Sequence, residues 1–315
     1  MKGDEETCMF KKILFSTNGS STCDNAARVA FDFASKWDSE LILFHVIGTP
    51  SRGFSPFIRD SRTGEDYSMD SDYSEWVVDE IENTYGNFLK NSKKSVIKTT
   101  VGQPYREILR HARSENVDMI ILGAHGHDAD ALDSERNGVS PTMRKVAKSA
   151  KCPVLAVTRP CSNRQYSFSS VVFGTDFSQA ADFAFEWARK LARKSGAALH
   201  IFHALDISKL KTSRTDSQIE IENRIKAAEK RIQIKYMRDS EGMENGDSKV
   251  WEGTPYIEIL KFAREKEADL IVMAHHAREI DPNSKEADLG SVTEQVVLRS
   301  ACPVVSVNYP EKAED

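Results

Sequence analysis

At 315 residues the chain is long for one domain and comfortable for two of about 150. Its 40% hydrophobic and 29% charged residues are the mix of a soluble globular protein, and a net charge of −5 without any basic block argues against a nucleic-acid partner. No apolar run is long enough to span a membrane, and the acidic opening MKGDEETCMFKK is not expected to be a signal peptide.

In chain order, the first apolar run is Ile13–Thr17, followed by Leu41–Val46, Met119–Leu122 and Val154–Val157. Uninterrupted apolar runs of this length read as strands buried on both faces. Helical periods lie between them, in CDNAARVAFDFASKW (23–37) and YREILRHARSEN (105–116). The segments 48–72 and 205–217 are expected to be loops, and 73–93 and 217–238 charged amphipathic helices. Each half supplies five strands, and strands alternating with helices imply a parallel, doubly wound sheet. In such sheets the ligand crevice lies beyond the carboxyl ends of the strands, where strand order reverses.

The same landmarks come round twice. VGQPYREILRHARSENVDMIILGAHG (101–126) aligns without a gap on EGTPYIEILKFAREKEADLIVMAHHA (252–277), with 11 of 26 positions identical. ILFSTNGSS (13–21) answers VVFGTDFSQ (171–179), LILFHV (41–46) answers LHIFHA (199–204), and CPVLAV (152–157) answers CPVVSV (302–307). A period this long marks a duplicated domain. The polar linker RPCSNRQYSFS (159–169) separates a first domain at 1–160 from a second at 168–310. Five cysteines, an odd number without CxxC spacing, point to free thiols, small buried residues in a reducing cytoplasm.

Taken together, these landmarks resemble the universal stress protein family in its tandem form. The likeness rests on a first strand ending TDFS, GxP before the third helix, MAxH after the fourth strand, and GSVTEQVV with CPVVSV closing the domain. It covers residues 11–158 and 168–308. The resemblance implies two Rossmann-like (adenine nucleotide alpha hydrolase-like) α/β domains, each a five-stranded parallel sheet flanked by helices. It also implies, in one subgroup, ATP bound at G-x2-G-x9-G-[S/T] after the fourth strand. By the same resemblance, the second half would hold a nucleotide with Thr175 and Asp176 at the nucleoside end, Ala204 at the base, and Gly290, Ser291, Val292 and Thr293 at the phosphates. Met273, Ala274, His276 and Ala277 complete that set. Ala277 departs from the second glycine, and 12 residues separate it from Gly290 where the motif has nine. The first half would be the weaker binder, through Asn18, Val46, Gly123, Gly126 and Ser140. It keeps both early glycines, but Asn18 replaces the aspartate, and Ser140-Pro141 stands opposite Gly290-Ser291.

Gly290-Ser291-Val292-Thr293 keeps every backbone N–H at a helix start, whereas Pro141 removes one. If Ala277 must adopt left-handed geometry the cost is ~1–2 kcal/mol, about tenfold in affinity. Acids crowd both loops (Asp128, Asp130, Asp133 and Glu135; Glu279, Asp281, Glu286 and Asp288), so a triphosphate there would need Mg2+. Gly290-Ser291 read blandly is only a helix cap. The histidine pairs His125/His127 and His275/His276 have no cysteine or carboxylate at metal spacing, so no metal is expected. No nucleophile–base motif is present, and any ATP hydrolysis is expected to be slow and incidental.

The expected function is a cytoplasmic, adenine-nucleotide-binding stress-response module. The alternatives are a nucleotide-free interaction scaffold and an ATPase with a physiological turnover. Expected partners are the other half of the same chain, a homodimer as a second option, and a protein of unknown identity. The strands CPVLAV and CPVVSV are apolar sheet edges, which invite pairing. In single-domain relatives they pair between subunits; here the halves are expected to pair within one chain. Halves that stay associated after the linker is cut near Ser162 support this, and halves that separate at micromolar concentration overturn it.

Overall fold

The chain divides into two compact units, 1–166 and 167–315. The computed structural model describes residues 9–50, 57–60, 65–68, 71–92, 94–123, 139–159, 168–206, 218–238, 246–275 and 291–308.

In the first unit, β1 (Lys12–Thr17), α1 (Asp24–Trp37) and β2 (Glu40–Val46) come first. Short strands β3 (Gly48–Pro50), β4 (Phe57–Asp60) and β5 (Asp66–Ser68) precede α2 (Ser71–Leu89). Then β6 (Ser95–Thr100), α3 (Pro104–Ser114), β7 (Met119–Gly123), α4 (Pro141–Ser149) and β8 (Val154–Val157) complete the unit. The main sheet runs β8-β7-β1-β2-β6 and every pairing is parallel. Ile13, Leu14 and Phe15 are wholly buried, as the apolar run required, each contributing about 1.5–3 kcal/mol. Strand order reverses between β1 and β7, which puts the crevice beyond Thr17 and Gly123.

The second unit repeats this plan with β9 (Ser170–Gly174), α5 (Gln179–Ser195), β10 (Ala198–Leu205), α6 (Gln218–Tyr236) and β11 (Ser248–Glu252). It continues through α7 (Pro255–Glu265), β12 (Leu270–Ala274), α8 (Ser291–Arg299) and β13 (Val304–Val307). Its sheet order is β11-β10-β9-β12-β13, again parallel, with the reversal between β9 and β12.

Residues shared by the two halves do the same work. Asp118 Oδ2 accepts from the N–H groups of Lys11 and Lys12 at 2.7 and 2.9 Å, tying the start of β1 to that of β7. Asp269 Oδ2 does the same for Ser169 and Ser170 at 2.8 and 3.1 Å. In each GxP turn the glycine has positive φ, +155° at Gly102 and +143° at Gly253. A Cβ there would meet the Glu107 side chain at 2.7 Å or that of Glu258 at 2.9 Å, so another residue would be strained and would push the glutamate aside.

One expectation is corrected. Instead of a continuous loop over 48–72, β3, β4 and β5 form a three-stranded antiparallel sheet. Pro50 lies on β3, an edge strand, where a missing N–H is tolerated. Arg59 and Asp66 face each other across the β4–β5 pair, 3.5 Å apart.

Candidate functional site

Each crevice is floored by the turn that ends the first strand. In the first unit Thr17 is buried; its Oγ1 accepts from Gly19 N at 3.0 Å and lies 2.6 Å from the Tyr85 hydroxyl on α2. The Thr17 carbonyl accepts from His45 Nδ1 at 2.9 Å, which fixes that ring's tautomer. In the second unit Thr175 Oγ1 accepts from Phe177 N at 2.9 Å and meets the Tyr236 hydroxyl at 3.0 Å. The Thr175 carbonyl accepts from His203 Nδ1 at 2.8 Å. Tyr236 also donates to Asp182 Oδ1 at 2.8 Å, so Thr175 must be the donor in its contact with Tyr236. Burial pushes both phenols upward in pKa, keeping them protonated, and burial lowers His203, keeping it neutral. The threonine–tyrosine–histidine arrangement at each strand end was not anticipated. Aligning the ends of α2 and α6 on Tyr85 and Tyr236 would have found its second member.

The next residue is where the halves part. Asn18 Oδ1 accepts from Ser20 N at 3.1 Å, Ser20 Oγ at 2.7 Å and the Cys23 thiol at 3.1 Å. Asp176 Oδ1 accepts from Ser178 N at 3.0 Å, the same Asx turn, but brings a negative charge to an exposed position. Where the first unit has Gly19 at φ 73°, the second has Phe177 at φ 63°, a left-handed residue held in place by packing. The Phe177 ring lies 4.5 Å from that of His203, and the Arg231 guanidinium sits over it at 4.5 Å. Arg231 Nη2 and Lys235 Nζ reach the Phe177 carbonyl at 3.4 and 3.2 Å, and Lys235 pairs with Asp182 at 2.7 Å. Counting back from Tyr236 as from Tyr85 puts Glu80 and Thr84 of α2 opposite Arg231 and Lys235. Two cations therefore border the turn in the second unit, at positions the repeat gives to Glu80 and Thr84 in the first.

The remaining predicted residues divide. Val46 ends β2 and is buried, and Ala204, next to last in β10, is half-buried. A Cβ on Gly123 would make only ordinary contacts, 3.5 Å to Thr22 O, consistent with Ala274 at the equivalent place. Met273 is buried and Ala274 half-buried at the end of β12. Ser140 caps α4, its hydroxyl accepting from Met143 N at 3.1 Å with Pro141 opening the helix. Ser291 opens α8, Val292 is half-buried, and Thr293 is buried. Gly126, His276, Ala277 and Gly290 lie outside the described residues. Among the described residues no group of three His, Cys, Asp or Glu side chains could hold a metal.

Cys23, Cys152 and Cys302 are free thiols. Burial pushes the Cys152 thiol up to about 12 and Cys302 to about 11. Because only the thiolate reacts, both should resist alkylation at neutral pH. Peptide mass mapping of iodoacetamide-treated native protein checks this. Labelling should begin only as pH approaches 11, Cys302 ahead of Cys152, while denatured chain labels near pH 8.5.

The model of the family described as "Universal stress protein family" matches residues 9–158 and again 167–308. The chain belongs to that family. Universal stress protein MJ0577 of Methanocaldococcus jannaschii is 29% identical over 157 residues, 44% of this chain and 94% of that protein. Universal stress protein YxiE of Bacillus subtilis is 29% identical over 162 residues, 47% of this chain and 99% of its own length. Single-domain relatives that match half the chain, with a family match in each half, make this a tandem member. The crystal structure of a universal stress protein from Archaeoglobus fulgidus aligns over 96% of this chain and 97% of that one, with TM-score 0.62 and 21% identity. That likeness shows the fold. Among the described residues no helix is long and apolar enough to cross a membrane.

Proposed function

We propose that this tandem universal stress protein is a cytoplasmic stress-response module whose second unit binds an adenine nucleotide, with Mg2+, and whose first unit does not. The observation carrying this reading is the asymmetry at the first-strand turns. Asp176, Arg231 and Lys235 border the second turn, whereas in the first Asn18 replaces the aspartate, its Oδ1 already accepting from three donors, and the repeat gives Glu80 at the position of Arg231. A polyanion is favoured by cations at the mouth of a crevice, and a ribose hydroxyl by a strand-end carboxylate. In this reading Asp176 accepts from the nucleoside, the Ala204 backbone meets the base, and the N–H groups opening α8 at Ser291 meet phosphate. Mg2+ would offset the phosphate charge. Neither crevice has a nucleophile with a base beside it among the described residues, so the bound nucleotide acts as a signal and its hydrolysis is incidental.

Mass spectrometry of ligands released from native protein tests the reading. Adenine nucleotide carried through purification, and lost in an Asp176→Ala variant, is the expected result. A chain that carries none and fails to bind ATP at millimolar concentration is a nucleotide-free scaffold.

A further inference from the structure

The outer side of α2 carries a row of aromatic rings that the core does not use. Tyr67 on β5 stacks on Tyr73 at 4.8 Å with 14° between planes, and Tyr73 stacks in turn on Trp76 at 5.7 Å and 30°. Trp76 ends the row and is 41% exposed, while Tyr67 and Tyr73 are half-buried. The inner side of the same helix is made by Val77, Ile81 and Tyr85, all buried. An exposed tryptophan continuous with two tyrosines has the composition of a protein-binding surface, in which large rings anchor the partner.

The surroundings of the row are acidic. On a helix the neighbours of a residue lie three and four positions away, and for Trp76 these are Asp72, Tyr73, Asp79 and Glu80. The Tyr67 hydroxyl donates to Glu65 at 2.7 Å, which brings another carboxylate to the far end. Between residues 59 and 82 nine Asp and Glu stand against two Arg, of which Arg59 pairs with Asp66. Aromatic faces attract cations, and a carboxylate rim adds to that preference.

The second unit reverses the pattern. Counting back from Tyr236 as from Tyr85, α6 has Asn223, Arg224, Ala227, Lys230 and Arg231 at the positions of Asp72, Tyr73, Trp76, Asp79 and Glu80. A cationic partner drawn to α2 is therefore repelled by α6, which confines it to the first unit.

We propose that Tyr67, Tyr73 and Trp76 form a docking surface for an arginine-rich segment of a partner protein. A guanidinium lies on the Trp76 ring, and Asp72, Asp79 and Glu80 meet its charge and those of its neighbours. Arginine suits this surface better than lysine, because its planar head stacks on a ring while its donors stay free for carboxylates. Nothing in this assignment rests on nucleotide binding by the second unit.

The probe is octa-arginine, with octa-lysine beside it, titrated into the full chain by calorimetry. Octa-arginine should bind at submillimolar concentration, more tightly than octa-lysine, and more weakly as salt rises. Trp76→Ala installs the second unit's residue without changing the charge, and should weaken octa-arginine at least about threefold. Asp79→Lys, again the second unit's residue, should weaken it as well. Circular dichroism checks folding; if Trp76→Ala does not fold, Trp76→Leu keeps apolar bulk without the ring and decides instead. Affinity unchanged in the folded Trp76 variant would mean diffuse attraction to the net charge of −5 and overturns the proposal. So does octa-lysine binding as tightly as octa-arginine, or no binding at millimolar peptide. Self-association of the chain that the Trp76 variant abolishes, followed by analytical ultracentrifugation, overturns it in favour of a second copy.

Discussion

Titrated with ATP and Mg2+, the full chain is expected to saturate at one nucleotide per chain, and Arg231→Glu to weaken that binding at least tenfold. The substitution places in the second unit the residue type the first has at Glu80. Arg231 borders the turn from Asp176 to Phe177, with its guanidinium over the Phe177 ring and Nη2 near the Phe177 carbonyl. Exchanging a cation for an acid at a polyanion site removes about one charge-assisted contact, ~1.5–3 kcal/mol, and adds repulsion. That energy corresponds to a factor of roughly 10–100 in affinity. Calorimetry gives stoichiometry and affinity together, and circular dichroism controls for loss of the Phe177 packing. Two sites of similar affinity would show that Asn18 and Glu80 do not disable the first unit. Unchanged affinity in Arg231→Glu would show that the cations serve only the turn.

Phe262→Ala is expected to destabilise the second unit by about 3–5 kcal/mol, because the ring is wholly buried between Phe202 and Trp251. His111→Ala in the first unit should cost less, about 1–2 kcal/mol: the ring is only half-buried and already borders open space. Urea unfolding of each variant beside the wild type, read by circular dichroism, compares the two losses. Equal losses would mean that the first unit packs as tightly around His111 as the second does around Phe262.

What the sequence made plain was whatever burial makes periodic. Ile13–Thr17 and Met119–Leu122 are apolar because both sheet faces are covered, so the runs and the duplication could be read directly. The strand β6 has no such run: it lies at a sheet edge, half-buried along its length, and carries Lys98 among its threonines. The β3–β5 sheet was hidden behind proline and glycine, which mark short strands and loops alike. At the crevice, Asp176 and Asn18 came from the family resemblance, at the ends of strands that were themselves legible. Arg231 and Lys235 were not. On a helix charged nearly all round, nothing local says which side meets a turn 54 to 58 residues earlier in the chain. Thr17 and Tyr85 meet across a similar distance, and only the fold brings them together.

Strand order also sets a timetable for biosynthesis. The central strand β1 pairs with β2 on one side and with β7 on the other, Ile13 lying opposite Met119. At ~5–20 residues per second, about 5–20 seconds separate the emergence of those two residues from the ribosome. Through that interval the nascent β1 has a partner along one edge only. The second unit repeats the wait, with Val172 idle until Ile271 appears. A chain stalled or cut before Met119 would present an open apolar edge, which is where unwanted strand pairing begins.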